Sequence, residues 1–250
     1  MLRPNAMSAP APLISVIVVC KNPGLRLQTA LGSVHDQRNA SVETVVIDGA
    51  STDGTREWLA AEAGGDVCFL SAPDSGVYEA MNKGIAIARG TWVLFLGADD
   101  RLAGTWVLAS ATLQLRETPA EVVVGEARFD DGRRYPFVEV GTAARRNFVH
   151  HQAAFYRREA LLRHRGFDAG LRVMADYDLN IRLLAAGDRF EPMALHVADC
   201  GSGGLSDAGS WLGYREEIAV RHRHFSAARC WFWDLGSVAR WLRKQWVRRR

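Results

Sequence analysis

From residue 13 onward, short apolar runs alternate with segments whose apolar residues recur at helical spacing. Ile14–Cys20, Val42–Asp48, Asp66–Ser71, Thr91–Gly97 and Glu121–Gly125 are rich in valine, nearly unbroken in hydrophobicity and of strand length. Unbroken rather than alternating hydrophobicity marks strands covered on both faces. Helices are predicted between them, near residues 24–35, 53–63, 76–89 and 103–117, and in the third Tyr78, Met81, Ile85 and Ala88 line up as one apolar stripe. This alternation predicts an α/β fold with a parallel sheet and right-handed crossovers. The loops after the strands then lie along one edge, where open α/β sheets bind ligands.

The second half is less regular. Strand-like pieces at Ala127–Phe129, Tyr135–Val138 and His151–Tyr156 precede a predicted helix near 176–187, a strand at Phe190–Leu195 and the run Gly201-Ser202-Gly203-Gly204. Helices near 211–226 and 231–249 close the chain. With no internal repeat and no linker, the expected organisation is a flexible Pro/Ala-rich start (1–12), one domain over 13–228, and a C-terminal appendage over 229–250.

Composition narrows the classes. The chain has 250 residues, 48% apolar and 24% charged, enough to bury roughly three quarters of its unfolded surface, which excludes disorder and fibres. The net charge is +3, yet the last eleven residues hold six basic residues and no acid, leaving the first 239 at −3. No run approaches the ~20 apolar residues of a membrane-spanning helix, and no signal peptide is read at the start. Cysteines at 20, 68, 200 and 230 form no CxxC pair, so neither zinc nor a disulfide framework is expected and a reducing compartment is.

Carboxylates cluster where strands end. Asp48 closes the second strand, Asp74 follows the third, and Asp99-Asp100 close the fourth. Taken singly they read as turn chemistry, and Thr52 or Asp53 suits the cap of the following helix. Taken together they line one crevice, where like charges are costly unless a cation or a hydrogen-bonding ligand joins them. Lys21-Asn22-Pro23-Gly24 stands where a dinucleotide-binding GxGxxG would follow the first strand, and GxxxxGK[ST] is absent. Both absences argue against dehydrogenase and NTPase chemistry.

The strand ending in Lys21-Asn22, then VVIDGASTDGT (45–55), APDSGVYEAMNKGIAIARG (72–90), WVLFLGADD (92–100), HQAAFYRREAL (151–161), ADYDLNIRL (175–183) and GGLS (203–206) resemble, in order and spacing, the family 2 glycosyltransferases of bacterial polysaccharide assembly. The resemblance spans about residues 13–206. It implies a GT-A fold: a single Rossmann-like mixed, mostly parallel sheet flanked by helices, with a nucleotide-binding half over 13–100 and an acceptor and catalytic half over 101–228. It also implies a nucleotide-sugar donor, UDP-linked first and GDP-linked second, and a divalent metal, Mn²⁺ or Mg²⁺.

By this resemblance Asp48 accepts a hydrogen bond from the nucleobase, with Asp74 and Asn82 completing the base and ribose pocket; Lys21, Asn22, Lys83 and Ala98 join the donor-binding set. Asp99 matches the metal-binding end of a DxD motif, where a hard oxygen ligand suits Mg²⁺ or Mn²⁺ on a diphosphate. The first DxD position is Gly97, so its usual contact must come from elsewhere. Asp100 either assists the metal or caps the next helix. Asp176 matches the second acid of the family's ED motif, whose first position is Ala175 here, and takes the role of catalytic base; it also suits a helix N-terminus, where the dipole keeps a carboxylate ionised. Asp178 lies about 200° further round that helix and reads as structural. His151 and Gln152 match an HQ pair, with His151 touching diphosphate or acceptor or serving as a buried, hydrogen-bonded histidine. Gly203, Gly204 and Ser206 are further candidates for that contact.

In the tail, Trp231, Leu235, Val238, Leu242 and Trp246 fall within about 80° on a helical wheel, with Trp241 beside them and Arg240, Arg243 and Lys244 opposite. That composition suits either an anionic membrane surface or packing on the domain. The sequence reading is therefore an inverting, metal-dependent glycosyltransferase acting on a glycan or lipid-linked acceptor in surface polysaccharide or glycolipid biosynthesis, peripheral on the cytoplasmic face of the membrane, with no nucleic-acid partner. The rival readings are a non-catalytic sugar-nucleotide binding protein, a sugar-nucleotide pyrophosphorylase-like enzyme and a membrane-interaction module built on an enzyme-like scaffold.

Overall fold

The computed structural model describes residues 11–62, 67–137, 139–201 and 211–248. The first five strands are β1 (Ile14–Cys20), β2 (Val42–Asp48), β3 (Val67–Ser71), β4 (Trp92–Gly97) and β5 (Arg101–Leu102). Between and after them lie α1 (Arg26–His35), α2 (Thr55–Glu62), α3 (Val77–Ile87) and α4 (Val107–Leu115). The second half adds β6 (Val122–Phe129), β7 (Arg134–Tyr135), β8 (Ala154–Arg157), α5 (Arg158–Arg163), α6 (Ala175–Ala185), β9 (Phe190–Cys200), α7 (Trp211–His224) and α8 (Ala227–Arg248).

The strands form one mixed sheet in the order β3-β2-β1-β4-β8-β6-β9-β5, with β7 on β6. The parallel block β3-β2-β1-β4 is the one expected from the apolar runs. The sequence did not reveal that β8 enters antiparallel between β4 and β6, nor that β9 then runs parallel to β6. The parallel ladders are the long ones. Along β1, Ile17 and Val19 pack with α3 and α6, while Ile14, Val16 and Val18 pack with α1, α2 and α4. Each fully buried Val, Ile or Leu contributes about 1.5–3 kcal/mol. Covering both faces is why the runs lack polar alternation.

Several expectations shift. Residues 121–125 and 127–129 merge into β6, with a register irregularity beside Gly125. A Cβ at Gly125 would sit 2.6 Å from the Leu195 carbonyl oxygen, so only glycine admits this approach of β9. Residues 151–153 form a 3-10 turn rather than the start of a strand, and β9 continues five residues past Leu195 to Cys200. Asp53 does cap α2, accepting from the Thr55 N–H at 3.2 Å.

Candidate active site

The loops after β1 and β4 meet the segments before β8 and α6 in a cleft of about 410 Å³ lined by Lys21, Asp99, Asn147, His151, Arg172 and Asp176 among others. A second hollow of about 410 Å³ continues it, sharing Arg26, Ala98, Asp99, Asp100, Phe129 and Gly201.

Asp176 opens α6 from a buried position. One carboxylate oxygen accepts from the Tyr177 N–H at 2.8 Å. The other accepts from Asn147 Nδ2 at 2.9 Å and lies 3.2 Å from His151 Nδ1. The turn before α6 is held by Glu216 of α7, which accepts from the N–H groups of Arg172, Val173 and Met174 at 3.0, 2.8 and 3.1 Å. Tyr78 of α3 donates to the Val173 carbonyl at 2.7 Å. Burial, with Asp176 beside it, pushes the Tyr78 hydroxyl well above its usual range, so it stays a donor.

Asp99 and Asp100 differ sharply. Asp100 is buried and accepts from the N–H of Gly97 at 2.7 Å, Gln152 Nε2 at 3.2 Å and the Gly201 N–H at 3.3 Å. Its own burial raises its pKa, with the Gly97 bond opposing. Asp99 is exposed. A Cβ on Gly97 would stand 2.8 Å from Asp99 Oδ1 and 2.9 Å from Asp100 Oδ2, so these carboxylates fill the space a DxD side chain would need. Among the described residues no three His, Cys, Asp or Glu side chains form a metal cage. One exposed carboxylate still fits a cation carried in by a diphosphate, because Mg²⁺-type ions are commonly held by one or two carboxylates plus phosphate oxygens.

The sequence profile of glycosyl transferase family 2 matches residues 15–177. This chain belongs to that family. The PGL/p-HBAD biosynthesis glycosyltransferase of Mycobacterium bovis is 35% identical over 178 residues, covering 69% of this chain and 70% of the relative. Solved structures of the same fold include the following two. S. aureus TarS 1–349 in complex with UDP-GlcNAc has a TM-score of 0.69 at 18% identity, covering 83% of this chain and 64% of TarS 1–349, less than two thirds of its length. The mannosyltransferase PcManGT of Pyrobaculum calidifontis in complex with GDP-Man and Mn²⁺ has a TM-score of 0.63 at 20% identity, covering 93% and 70%. The protein is a glycosyltransferase with a GT-A-like mixed sheet.

In this family 2 glycosyltransferase the cleft collects Lys21, Ala98, Asp99, His151, Gln152 and Asp176 of the residues expected from the sequence. Others lie elsewhere. Asp48 is fully buried beside the cleft-lining Cys20, and its carboxylate accepts from the Ser51 and Ser71 hydroxyls at 2.5 and 2.6 Å. Asp74 packs against Gly49 and accepts from the Gly76 N–H at 3.1 Å. Asn22 ties its loop to the next by accepting from the Thr52 N–H at 2.8 Å. Asn82 is spent on the Phe167 backbone, donating to its carbonyl and accepting from its N–H at 2.8 Å each. Lys83 donates to the Pro73 carbonyl at 2.7 Å and pairs with Glu79. Gly203, Gly204 and Ser206 lie outside the described residues. Asp178 is structural as expected, bonded to Arg182 and His224 at 2.8 Å each.

The sequence reading missed Arg26, Tyr78, Asn147, His150 and Arg172 as lining residues. Tyr78 looked like part of an apolar stripe. Asn147 and Arg172 sit in irregular segments, where no periodicity marks which way a side chain points.

α8 carries two different faces. Cys230 and Ser237 are buried against the domain, and Asp234 and Arg240 pair with Arg221 and Glu217 of α7. The stripe turns outward, with Trp231 68%, Leu235 55%, Leu242 54% and Trp246 56% exposed. Among the described residues no helix is long and apolar enough to cross a membrane.

Proposed function

We propose that this chain moves a sugar from a nucleotide-diphosphate sugar to a hydroxyl of a glycan or lipid-linked acceptor, inverting the anomeric carbon. The observation that carries the reading is that Asp176, hydrogen-bonded by Asn147 and the Tyr177 N–H, shares one cleft with the exposed carboxylate of Asp99. Direct displacement needs a group to take the acceptor's proton. Asp176 suits that task by position, since it opens α6 onto the cleft and its oxygens are oriented by hydrogen bonds from Asn147 and the Tyr177 N–H. Asp100 has its oxygens occupied by neutral donors, and Asp99 is assigned to the cation, so no second carboxylate remains as nucleophile and a single displacement inverts. Lys21, Arg26 and Arg172 line the cleft and complement a diphosphate. Asp99 would hold the divalent metal, which when bound supplies positive charge to the departing diphosphate.

The ligands named for TarS and PcManGT support a UDP-sugar first and a GDP-sugar second. The mycobacterial relative's name supports a glycolipid or related surface glycan as product. The outward apolar stripe of α8, with Arg243 and Lys244 nearby, supports peripheral attachment to an anionic membrane surface on the cytoplasmic side. A second reading rests on the 3.2 Å His151–Asp176 contact: His151 Nε2 touches the acceptor and Asp176 orients the ring.

Thermal unfolding with UDP, GDP, dTDP and their sugars, with and without Mn²⁺, tests the donor. A nucleotide at 100 times its Kd adds ~2.7 kcal/mol of stability. The expected result is a Mn²⁺-dependent rise with one nucleotide that disappears in Asp99→Ala. No rise with any of them, or a rise that Asp99→Ala leaves intact, overturns the reading.

A further inference from the structure

Arg221 has no exposed surface and is among the largest fully buried side chains. An ion in that setting must be paired and have its donors used. On the α7–α8 side its guanidinium bonds Glu217 Oε1 and Ser237 Oγ at 3.1 Å each and also Asp234. Those partners balance the charge. Yet two bonds point elsewhere, from Nε to the Ala144 carbonyl at 2.8 Å and from Nη2 to the Arg145 carbonyl at 3.1 Å. The preceding carbonyl, Ala143, accepts from the Tyr177 hydroxyl at 2.5 Å.

Three consecutive carbonyls of an irregular segment, with no strand ladder of its own, are therefore gripped from α6 and α7. Two residues further on is Asn147, whose amide donates to Asp176, and at the segment's end is His151, 3.2 Å from the same carboxylate oxygen. Arg145 also stacks over the Trp233 ring of α8 at 5.5 Å.

We infer that Arg221 is a positioning residue: by clamping the 144–145 backbone to the α7–α8 pair it aims Asn147, and through it Asp176, so that the seating of α8 sets the geometry of the cleft. The inference rests on the reading of Asp176 as the group that takes the acceptor's proton. Arginine is required for this role. A lysine retains the charge for Glu217 and Asp234 but has no planar fork to reach two carbonyls at once.

The test uses the full chain with Arg221→Lys, Asn147→Ala and the double variant. Arg221→Lys should lower kcat by ~10-fold or more with the donor KM nearly unchanged, since misaligned groups lose rate rather than binding. Its acidic limb in the kcat–pH profile should move up, because a carboxylate that loses a donated hydrogen bond is easier to protonate. Asn147→Ala should show the same shift, and adding Arg221→Lys to it should cost little more, because both act through one bond. Hydrogen exchange supplies a readout independent of turnover: peptides covering 143–150 should exchange faster in Arg221→Lys while β1–β4 stay protected. If Arg221→Lys does not fold, Tyr177→Phe, which removes the hydroxyl held by the Ala143 carbonyl and by Arg221 while keeping the ring, should show the same kcat and exchange signature. Unchanged exchange over 143–150, an unmoved pH limb or full additivity in the double variant overturns the inference. Faster exchange over 143–150 combined with full activity of Asp176→Asn would instead retire Asp176 as base while leaving the clamp in place.

Discussion

Gly97→Ala isolates the departure that most distinguishes this site. A methyl group at residue 97 would lie 2.8 Å from Asp99 Oδ1 and 2.9 Å from Asp100 Oδ2, closer than real Cβ contacts allow. Asp99 is exposed and can swing aside. Asp100 cannot do so without loss, because its oxygens are held by the Gly97 N–H, Gln152 and the Gly201 N–H. Giving up one hydrogen bond to a charged group costs about 1.5–3 kcal/mol, which in a domain of this size lowers Tm by about 3–12 °C. Gly97→Asp should fall further, since a third carboxylate roughly 4 Å from Asp99 or Asp100 adds about 4 kcal/mol of repulsion at an effective dielectric of 20, and Mn²⁺ with a nucleoside diphosphate should restore part of the loss. Thermal unfolding with and without Mn²⁺ and UDP measures both variants. A Gly97→Ala Tm within ~1 °C of the parent, with the same metal-dependent rise, would refute the claim that the two carboxylates occupy the missing side chain's place.

Asp176→Asn should lower turnover at least ~10²-fold with donor binding nearly intact, since the amide retains shape and loses basicity; turnover within a few-fold of the parent passes the role to His151. Trp231→Glu with Leu242→Glu should abolish sedimentation with anionic liposomes while shifting stability by only ~0.5 kcal/mol, because both side chains face outward. Removing α8 altogether is a different perturbation: it strips Asp234 and Ser237 from the buried Arg221 and should destabilise the domain, which circular dichroism of the truncated chain checks. In alkali, stability should hold to about pH 9 and then decline. Burial, with Asp48 adding to it, pushes the Cys20 thiol up to about 12, and burial likewise raises Tyr78, Tyr156 and Tyr177. Above pH 9 the unfolded chain sheds protons that the fold retains, so the slope of stability against pH is negative; denaturant titrations flat from pH 8 to 11 would contradict this.

The parallel half was legible in the chain itself. A strand buried on both faces is apolar at most positions, with its few polar side chains paired to one another as Ser15 is to Glu43, so β1 and β2 begin and end where their valine-rich runs do. Asp99 and Asp176 were legible because a strand end and a helix start are local features, and each places a carboxylate at a predictable point. Three matters were left to tertiary packing. The antiparallel insertion of β8 depends on pairings between segments far apart in sequence, and a strand of four residues, Ala154–Arg157, carries no local mark of its direction. Whether a polar side chain serves a ligand or the fold depends on what arrives from elsewhere. Asn82 is taken by a backbone 85 residues away, Asp48 by two serines, and Asn147 is turned toward Asp176 by a segment whose carbonyls Tyr177 and Arg221 hold. The amphipathic wheel of α8 was readable from its period, but which face meets the domain was not. The face carrying Asp234, Ser237 and Arg240 goes inward because Glu217 and Arg221 of α7 supply their partners, and the stripe of Trp231, Leu235, Leu242 and Trp246 is left facing out.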